Sequence, residues 1–159
     1  MKQGERPVQS VLMVCLGNIC RSPLAEAALR HHAAQRGLDI VVDSAGTGDW
    51  HIGHPPDPRA QAVAKRLGGI DISGLHARQV GADDFYRFDY IIAMEEQNLR
   101  NLRAMAPADA RVKLSLLLDH VPGRAGQAVA DPYYGDDAGF EVTWRDVDGA
   151  AKALTEKLA

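Results

Sequence analysis

Residues 14–23 of the chain read VCLGNICRSP and join a strand pattern to a helix pattern. Before them, residues 8–14 are mostly aliphatic or β-branched, which is typical of a strand buried on both faces of a parallel sheet. After them, Ser22 supplies a helix-capping side chain and Pro23 a proline at the first helical position. A helix is therefore predicted to run from this point to about Gly37.

The same alternation of strand and helix continues along the chain. Further strands are predicted at residues 40–42, 90–94 and 112–118. Further helices are predicted from Pro58, after the capping residue Asp57, to Gly68-Gly69, and at residues 95–103 and 140–158. This alternation predicts an α/β fold, a three-layer sandwich with helices on both faces of a four-stranded parallel sheet of flavodoxin-like order. Ligands of such sheets bind outside the carboxyl ends of the strands, where Cys15 is expected.

Composition limits the classes of protein to which the chain can belong. With 159 residues, 46% hydrophobic and 25% charged, it is expected to form a single domain over residues 1–159. The formal charge of −3 argues against nucleic acid or a membrane surface as a partner. No apolar run is long enough to span a membrane, the first residues are polar, and 2 cysteines are too few for a secreted disulfide scaffold. A cytoplasmic location is therefore expected, and a monomer is taken as the default oligomeric state.

The loop of residues 15–21 is suited to bind an anion. Successive backbone N–H groups in such a turn point inward, and the N-terminus of the following helix adds positive potential. Gly17 and Asn18 tolerate left-handed backbone angles, and Arg21 provides a planar fork of donors for two phosphate oxygens. We therefore predict that phosphate or another oxyanion binds to this phosphate loop, at Leu16, Gly17, Asn18, Ile19, Cys20 and Arg21.

Cys15 begins the phosphate loop, where the amides, the helix N-terminus and Arg21 all favour a thiolate. A thiolate below a bound phosphate is placed to attack phosphorus, while Arg21 stabilises the charge on the equatorial oxygens, with no metal or cofactor. The Ser22 hydroxyl is close enough in sequence to donate to the sulfur. A lone cysteine is usually a small apolar residue, but the combination of residue types in this loop favours a nucleophile.

The other sulfur and imidazole groups have less specific patterns. Cys20 is either a packing residue or a resolving thiol that forms a reversible disulfide with Cys15. His51 and His54 resemble half of a zinc site, but the chain has no second half, so they are interpreted as surface-loop residues.

The pattern of Cys15, five residues, Arg21 and Ser22, with Gly-Asn before the second cysteine, resembles the signature of the low-molecular-weight protein tyrosine phosphatases. The resemblance extends along nearly the whole chain, through residues 43–46 (DSAG), 49–50 (DW), 57–60 (DPRA), 88–91 (FDYI) and 131–135 (DPYYG). It implies hydrolysis of phosphotyrosine in a protein substrate, and of aryl phosphates, through a phosphocysteine intermediate.

The resemblance also implies roles for residues outside the phosphate loop. Asp131 is implied to be the general acid that protonates the departing tyrosine oxygen and later activates the hydrolytic water. Trp50, Tyr133 and Tyr134 are implied to wall a pocket that admits phenyl phosphate and keeps the shorter phosphoserine from the nucleophile.

Asn18 and Ser44 are expected to hold the phosphate loop in shape through side-chain hydrogen bonds. Members of the family often carry a histidine that supports this Asn, three residues before the Arg-Gln pair that corresponds to Arg78-Gln79. Here Leu75 stands in that place. The support of Asn18 is therefore expected to come from another group.

Two other functions use parts of the same pattern. A thioredoxin-coupled arsenate reductase shares the fold and the Cys-to-Arg loop but relays oxidation through further cysteines, and residues 21–159 contain none. A non-catalytic phosphotyrosine-binding module would use the anion site alone, yet it would need neither Cys15 nor Asp131. A protein tyrosine phosphatase is the function that the sequence favours.

Overall fold

The structure, a computed structural model, describes residues 9–159. Its centre is a four-stranded sheet of order β2-β1-β3-β4 in which neighbouring strands are parallel. The strands are β1 (Gln9–Cys15), β2 (Ile40–Gly46), β3 (Tyr90–Ala93) and β4 (Lys113–Leu116). The helices are α1 (Arg21–Gln35), α2 (Pro58–Gly68), α3 (Asp84–Arg87), α4 (Glu96–Met105) and α5 (Asp137–Leu158), with a 3-10 turn at Leu117–His120. The strand order is the flavodoxin-like order, so the predicted fold class is confirmed.

Helices cover both faces of the sheet and give the molecule three layers. Because successive side chains of a strand point to opposite faces, Val11 and Met13 of β1 pack into a core with α1, α2 and α5. Leu12 and Val14 pack into a second core with α3 and α4. All four side chains are fully buried, which explains why the sequence of β1 is an apolar run rather than an alternating pattern.

All four strands end at other residues than predicted, although β1, at Cys15, and β3, at Ala93, differ by a single residue. β2 is longer and reaches Gly46, because its last residue pairs with Cys15 at the end of β1. β4 is shorter and ends at Leu116, because the Asp119 carboxylate accepts a hydrogen bond of 2.9 Å from the Leu116 N–H and turns the chain into the 3-10 helix. The predicted start of the first strand, at residue 8, lies outside the described residues.

The helices mostly follow their predicted caps. α2 begins at Pro58 as expected, and the Asp57 side chain accepts from the backbone N–H of Arg59 at 2.8 Å. α5 begins earlier than residue 140, because Asp136 caps it and the helix starts at Asp137. The short α3 was not predicted. Among residues 9–159, no helix is long and apolar enough to cross a bilayer.

The start of α1 differs from the prediction in a way that matters for function. The helix begins at Arg21, and Cys20 occupies the capping position without a side-chain cap, so Ser22 is not the cap. Ser22 lies one residue inside the helix, fully buried, with its hydroxyl directed at Cys15. Glu26 lies further along α1 and is buried behind the phosphate loop. The Ser-Pro pattern predicted a helix cap at Ser22, but the contact of the Ser22 hydroxyl with Cys15 places this residue inside the helix.

Candidate active site

One pocket at the carboxyl edge of the sheet collects most of the residues that the sequence singled out. Its volume is about 400 Å³, and it is lined by Cys15, Leu16, Gly17, Ile19, Cys20, Arg21, Trp50, His51, Asp131, Tyr133 and Tyr134. The predicted nucleophile, arginine and general acid therefore share a pocket with the three predicted aromatic residues. His51, interpreted from the sequence as a surface-loop residue, also lines it.

Cys15 Sγ lies within reach of two hydrogen-bond donors. The backbone N–H of Asn18 donates to it at 3.3 Å, and Ser22 Oγ lies 3.0 Å away. Asn18 Nδ2 donates to the same Ser22 Oγ at 2.8 Å. Because the hydroxyl oxygen is used as an acceptor in that bond, its hydrogen is free to point at the sulfur. Two hydrogen-bond donors are therefore directed at one sulfur.

Asn18 holds the centre of the phosphate loop. Its φ of +58° lies in the left-handed region, which asparagine tolerates, as predicted. Gly17 does not share this conformation; a Cβ there would lie 3.0 Å from the His51 ring, a close contact that a shift of the ring would have to relieve. The Asn18 side chain donates to Ser44 Oγ at 2.9 Å and accepts from the backbone N–H of Arg78 at 3.0 Å.

Behind Asn18 the hydrogen bonds continue to a buried carboxylate. Ser44 Oγ donates to Glu26 Oε1 at 2.6 Å, and the other oxygen of Glu26 pairs with Arg30 at 2.8 Å. Burial raises the pKa of Glu26 above its ordinary value, although the Ser44 hydrogen bond and the Arg30 charge oppose the shift. Leu75 packs against the apolar core. Serine hydroxyls and a backbone N–H therefore support Asn18 in this protein.

Arg21 is almost completely buried, with 2% of its side chain exposed, and its guanidinium is fixed from outside the phosphate loop. One nitrogen donates to Glu95 Oε2 at 2.7 Å and to the carbonyl oxygen of Val129 at 3.2 Å. The other nitrogen lies 3.5 Å from Asp131 Oδ2. Glu95 was missed by the sequence analysis, which placed it at the start of a helix. Its position directly after a buried strand was the available signal.

The acid loop, residues 130–135, brings Asp131 and two tyrosines to the pocket. The Tyr133 N–H donates to Asp131 Oδ1 at 3.1 Å, so the carboxylate is held by the backbone of its own loop. The rings of Tyr133 and Tyr134 meet edge to face with centroids 4.9 Å apart. Tyr134 is 93% exposed and Trp50 67% exposed, so these two residues form the rim, while the half-buried Tyr133 forms the wall.

Three carbonyl groups of the phosphate loop bond to segments that do not line the pocket. The oxygens of Cys15, Leu16 and Ile19 accept hydrogen bonds of 2.8 to 2.9 Å from the backbone N–H groups of Thr47, Gly48 and Asp57. In a trans peptide the carbonyl and the following N–H point in opposite directions. The next N–H group after each of these carbonyls therefore points the opposite way, which is the direction expected for the predicted anion site.

Cys20 lines the pocket but differs chemically from Cys15. Burial, and after it the charge of Asp57, raises the pKa of the Cys20 thiol well above its ordinary value. A protonated thiol is a poor nucleophile, so the surroundings of Cys20 do not favour it as one. Both cysteines are buried and free.

The described part of the chain, residues 9–159, contains no cluster of three or more His, Cys, Asp or Glu side chains arranged to hold a metal ion. The rings of His51 and His54 are 5.9 Å apart, and the His51 ring lies 6.3 Å from that of Tyr133.

Residues 10–159 match the family described as low molecular weight phosphotyrosine protein phosphatase. The chain belongs to this family. It is 41% identical over 158 residues to the low molecular weight phosphotyrosine protein phosphatase of Homo sapiens, with 97% of this chain and 98% of that one covered. The crystal structure of YfkJ from Bacillus subtilis superimposes with a TM-score of 0.89 at 43% identity, covering 98% of this chain and 97% of that one. The structure of Vibrio vulnificus Wzb in complex with benzylphosphonate superimposes with a TM-score of 0.84 at 30% identity, covering 95% of this chain and 99% of that one.

Low molecular weight phosphotyrosine protein phosphatases are cysteine-dependent, metal-independent phosphoric monoester hydrolases, and this chain is accordingly a protein tyrosine phosphatase. The family resemblance and the favoured function are confirmed. The comparisons support a phosphatase over the two alternatives, an arsenate reductase and a phosphotyrosine-binding module.

Proposed function

We propose that this phosphatase hydrolyses phosphotyrosine and aryl phosphates in two steps, with Cys15 as nucleophile, Arg21 as phosphate-binding residue and Asp131 as general acid and base. The observation that supports this proposal most directly is the convergence of three groups on one pocket. They are a buried, hydrogen-bonded sulfur, a guanidinium and a carboxylate. The rest of the site supports the same assignment by fixing each group from behind.

In the first step, Cys15 Sγ attacks phosphorus, and the S–P bond forms as the P–O bond to tyrosine breaks. The N–H groups of the phosphate loop and the Arg21 guanidinium bind the equatorial oxygens, where negative charge is spread in the transition state. Asp131 begins this step protonated and gives its proton to the tyrosine oxygen, because a phenolate leaves slowly when it is not protonated. The products are tyrosine and a phosphocysteine.

In the second step, a water molecule attacks phosphorus through its oxygen while the ionised Asp131 takes a proton from that water. The O–P bond forms, the S–P bond breaks, and inorganic phosphate is released. Cys15 leaves as a thiolate, which the Ser22 hydroxyl and the Asn18 N–H stabilise by hydrogen bonds. The same two donors therefore serve the nucleophile in the first step and the leaving group in the second.

The pocket favours a flat aromatic ester. Tyr133 lines its wall and Trp50 and Tyr134 its rim, so a phenyl ring gains apolar contact on the way to Cys15. A relative from Vibrio vulnificus binds benzylphosphonate, an aromatic analogue of such an ester. We expect phosphoserine, which is too short to cross this wall, to be a poor substrate.

Hydrolysis of matched phosphotyrosine and phosphoserine peptides, measured in the presence of a chelator, tests the proposal. We expect turnover of the phosphotyrosine peptide alone, no turnover by Cys15→Ser, and a loss of about 10²- to 10⁴-fold in Asp131→Ala. Asp109→Ala, at the opposite edge of the sheet beside Gln9, is the control and should retain activity. Full activity in Cys15→Ser would overturn the assignment of the nucleophile.

Three expectations from the sequence accompany this proposal. A cytoplasmic location is supported by the two free thiols, because the cytoplasm keeps thiols reduced. A monomer stays a prediction that light scattering tests. For Cys20, mass spectrometry after mild peroxide treatment distinguishes a reversible disulfide with Cys15 from a packing role.

A further inference from the structure

Arg59, the second residue of α2, contacts the acid loop directly and is connected to the phosphate loop through Asp57. Its Nε and one terminal nitrogen donate to the two oxygens of Asp57 at 3.1 and 3.0 Å. That nitrogen also donates to the carbonyl oxygen of Tyr133 at 2.8 Å, and the other terminal nitrogen donates to that of Gly135 at 3.0 Å. One guanidinium therefore joins a carboxylate to two backbone carbonyls of the acid loop.

On one side, Arg59 is connected to the phosphate loop through Asp57. The Asp57 backbone N–H donates to the carbonyl oxygen of Ile19 at 2.8 Å. The Asp57 side chain is 9% exposed. Although burial opposes its ionisation, the hydrogen bonds from Arg59 hold the pKa of Asp57 below its ordinary value. A charged carboxylate thus stands at a fixed place beside the phosphate loop and binds the guanidinium.

On the other side, Arg59 is connected to Asp131 through a single residue. The N–H of Tyr133 holds Asp131 Oδ1, and the carbonyl of Tyr133 is held by Arg59. The guanidinium also lies over the Phe140 ring, 4.6 Å from its centroid, which fixes its plane. A displacement of Arg59 would release the Tyr133 backbone and with it the carboxylate.

We infer that Arg59 is a positioning residue that holds the acid loop, and so the Asp131 carboxylate, in register with the phosphate loop. The inference rests on the proposed role of Asp131 as general acid. It is consistent with an arginine at this position: all three guanidinium nitrogens donate to these partners, whereas a lysine carries its three donors on a single nitrogen.

A series of aryl phosphates with leaving groups of increasing pKa tests this inference, because loss of the general acid matters most for the poorest leaving groups. For Arg59→Ala and Arg59→Lys we expect kcat/KM to fall on the order of tenfold or more for phosphotyrosine and by less for the most acidic phenol. The slope of log kcat/KM against leaving-group pKa should steepen toward that of Asp131→Ala. Arg66→Ala, in the same helix and paired with Glu141, should keep the wild-type slope.

Two further measurements separate positioning from a general structural effect. Competitive inhibition by inorganic phosphate should stay within about twofold in Arg59→Lys, because the phosphate loop keeps its other supports. The double variant Arg59→Ala/Asp131→Ala should have nearly the same kcat/KM as Asp131→Ala alone, because both substitutions remove the same function, general acid catalysis. Arg59→Lys keeps the charge and much of the packing, so it decides the question if Arg59→Ala does not fold.

The positioning role would be overturned if Arg59→Ala lowered kcat/KM equally for all leaving groups. It would also be overturned if the fold-loss of kcat/KM in the double variant equalled the product of the two single fold-losses. Failure of the proposed function is recognised separately, because Asp131→Ala would then keep the wild-type slope.

Discussion

Asn18 Nδ2 donates a hydrogen bond of 2.8 Å to Ser22 Oγ, and this bond leaves the Ser22 hydroxyl hydrogen free for Cys15 Sγ, 3.0 Å away. The orientation of one hydroxyl is thus set by a residue four positions earlier in the chain. Sulfur is a leaving group in the second step of the proposed reaction, so this donor matters most after tyrosine has left.

Ser22→Ala should therefore slow hydrolysis of the phosphocysteine more than its formation. A hydrogen bond to a charged group contributes about 1.5 to 3 kcal/mol, so we expect a loss of roughly 10- to 100-fold in the second step. Stopped-flow release of a coloured phenol measures both steps. The burst should grow relative to the steady-state rate in Ser22→Ala and not in the surface variant Ser73→Ala; an unchanged ratio contradicts this role.

Gly46→Ala should disrupt the phosphate loop from behind. A Cβ at Gly46 would lie 2.7 Å from the carbonyl oxygen of Leu16 and 3.2 Å from the backbone nitrogen of Asn18. Because backbone atoms cannot move aside cheaply, we expect about 1 to 3 kcal/mol of lost stability and weaker inhibition by phosphate. Gly74→Ala, where a Cβ meets nothing within 4 Å, is the control. Urea denaturation that finds the two variants equally stable would refute the prediction.

Glu26 makes stability depend on pH. Because burial raises its pKa in the folded protein, the folded state holds this proton more tightly than the unfolded chain does. The contribution of the protonated Glu26 carboxyl to the free energy of unfolding is fully present below its ordinary pKa of 4.5. This contribution is lost as the pH rises through the raised pKa of the folded protein. Glu26→Gln removes this titration and keeps an acceptor for Ser44.

The free energy of unfolding, measured in urea across this pH range, checks the effect. The stability of Glu26→Gln relative to the wild type should increase as the pH rises above 4.5. The exposed Glu156→Gln serves as the comparison and should run parallel to the wild type. If Glu26→Gln also runs parallel, the buried carboxylate does not govern the pH dependence.

Tyr133 and Tyr134 should differ in importance although they are adjacent. Tyr133 is half-buried in the pocket wall, whereas Tyr134 is 93% exposed at the rim. We expect Tyr133→Ala to lower kcat/KM for phosphotyrosine by about 3- to 10-fold, the worth of one aromatic contact, and Tyr134→Ala by less than about 2-fold. Tyr133→Phe keeps the ring and should recover most of the loss. Steady-state kinetics that rank Tyr134 above Tyr133 would contradict the assignment.

Local sequence was sufficient to predict that a turn joins β1 to α1 at the phosphate loop. Cys15, Asn18 and Arg21 lie within this one turn, so their proposed roles could be inferred from neighbouring residues alone. The fold class was predictable for a related reason, since each strand and most helices carry their own apolar pattern and caps.

Contacts between distant residues were not predictable in the same way. Arg21 meets Glu95 across 74 positions and the carbonyl of Val129 across 108. No local sequence pattern predicts which carboxylate or which backbone carbonyl will bind Arg21. Ser22 was misassigned as a helix cap because its sequence neighbours fit that role equally well, and only the approach of Asn18 and Cys15 decides between the two uses of its hydroxyl.

The phosphate loop is built from seven consecutive residues, 15–21, but it takes its shape from segments far along the chain. Ser44, Asp57 and Arg78 each supply a hydrogen bond to it. Contacts of large sequence separation form late when a chain folds, because closing long loops costs entropy. In a newly made or partly folded chain, Cys15 therefore lacks the hydrogen bonds that it receives in the folded protein. With Cys15 as the proposed nucleophile, we expect catalytic activity to appear only once the sheet and the segments of Ser44, Asp57 and Arg78 are in place, so that activity reports the completion of folding.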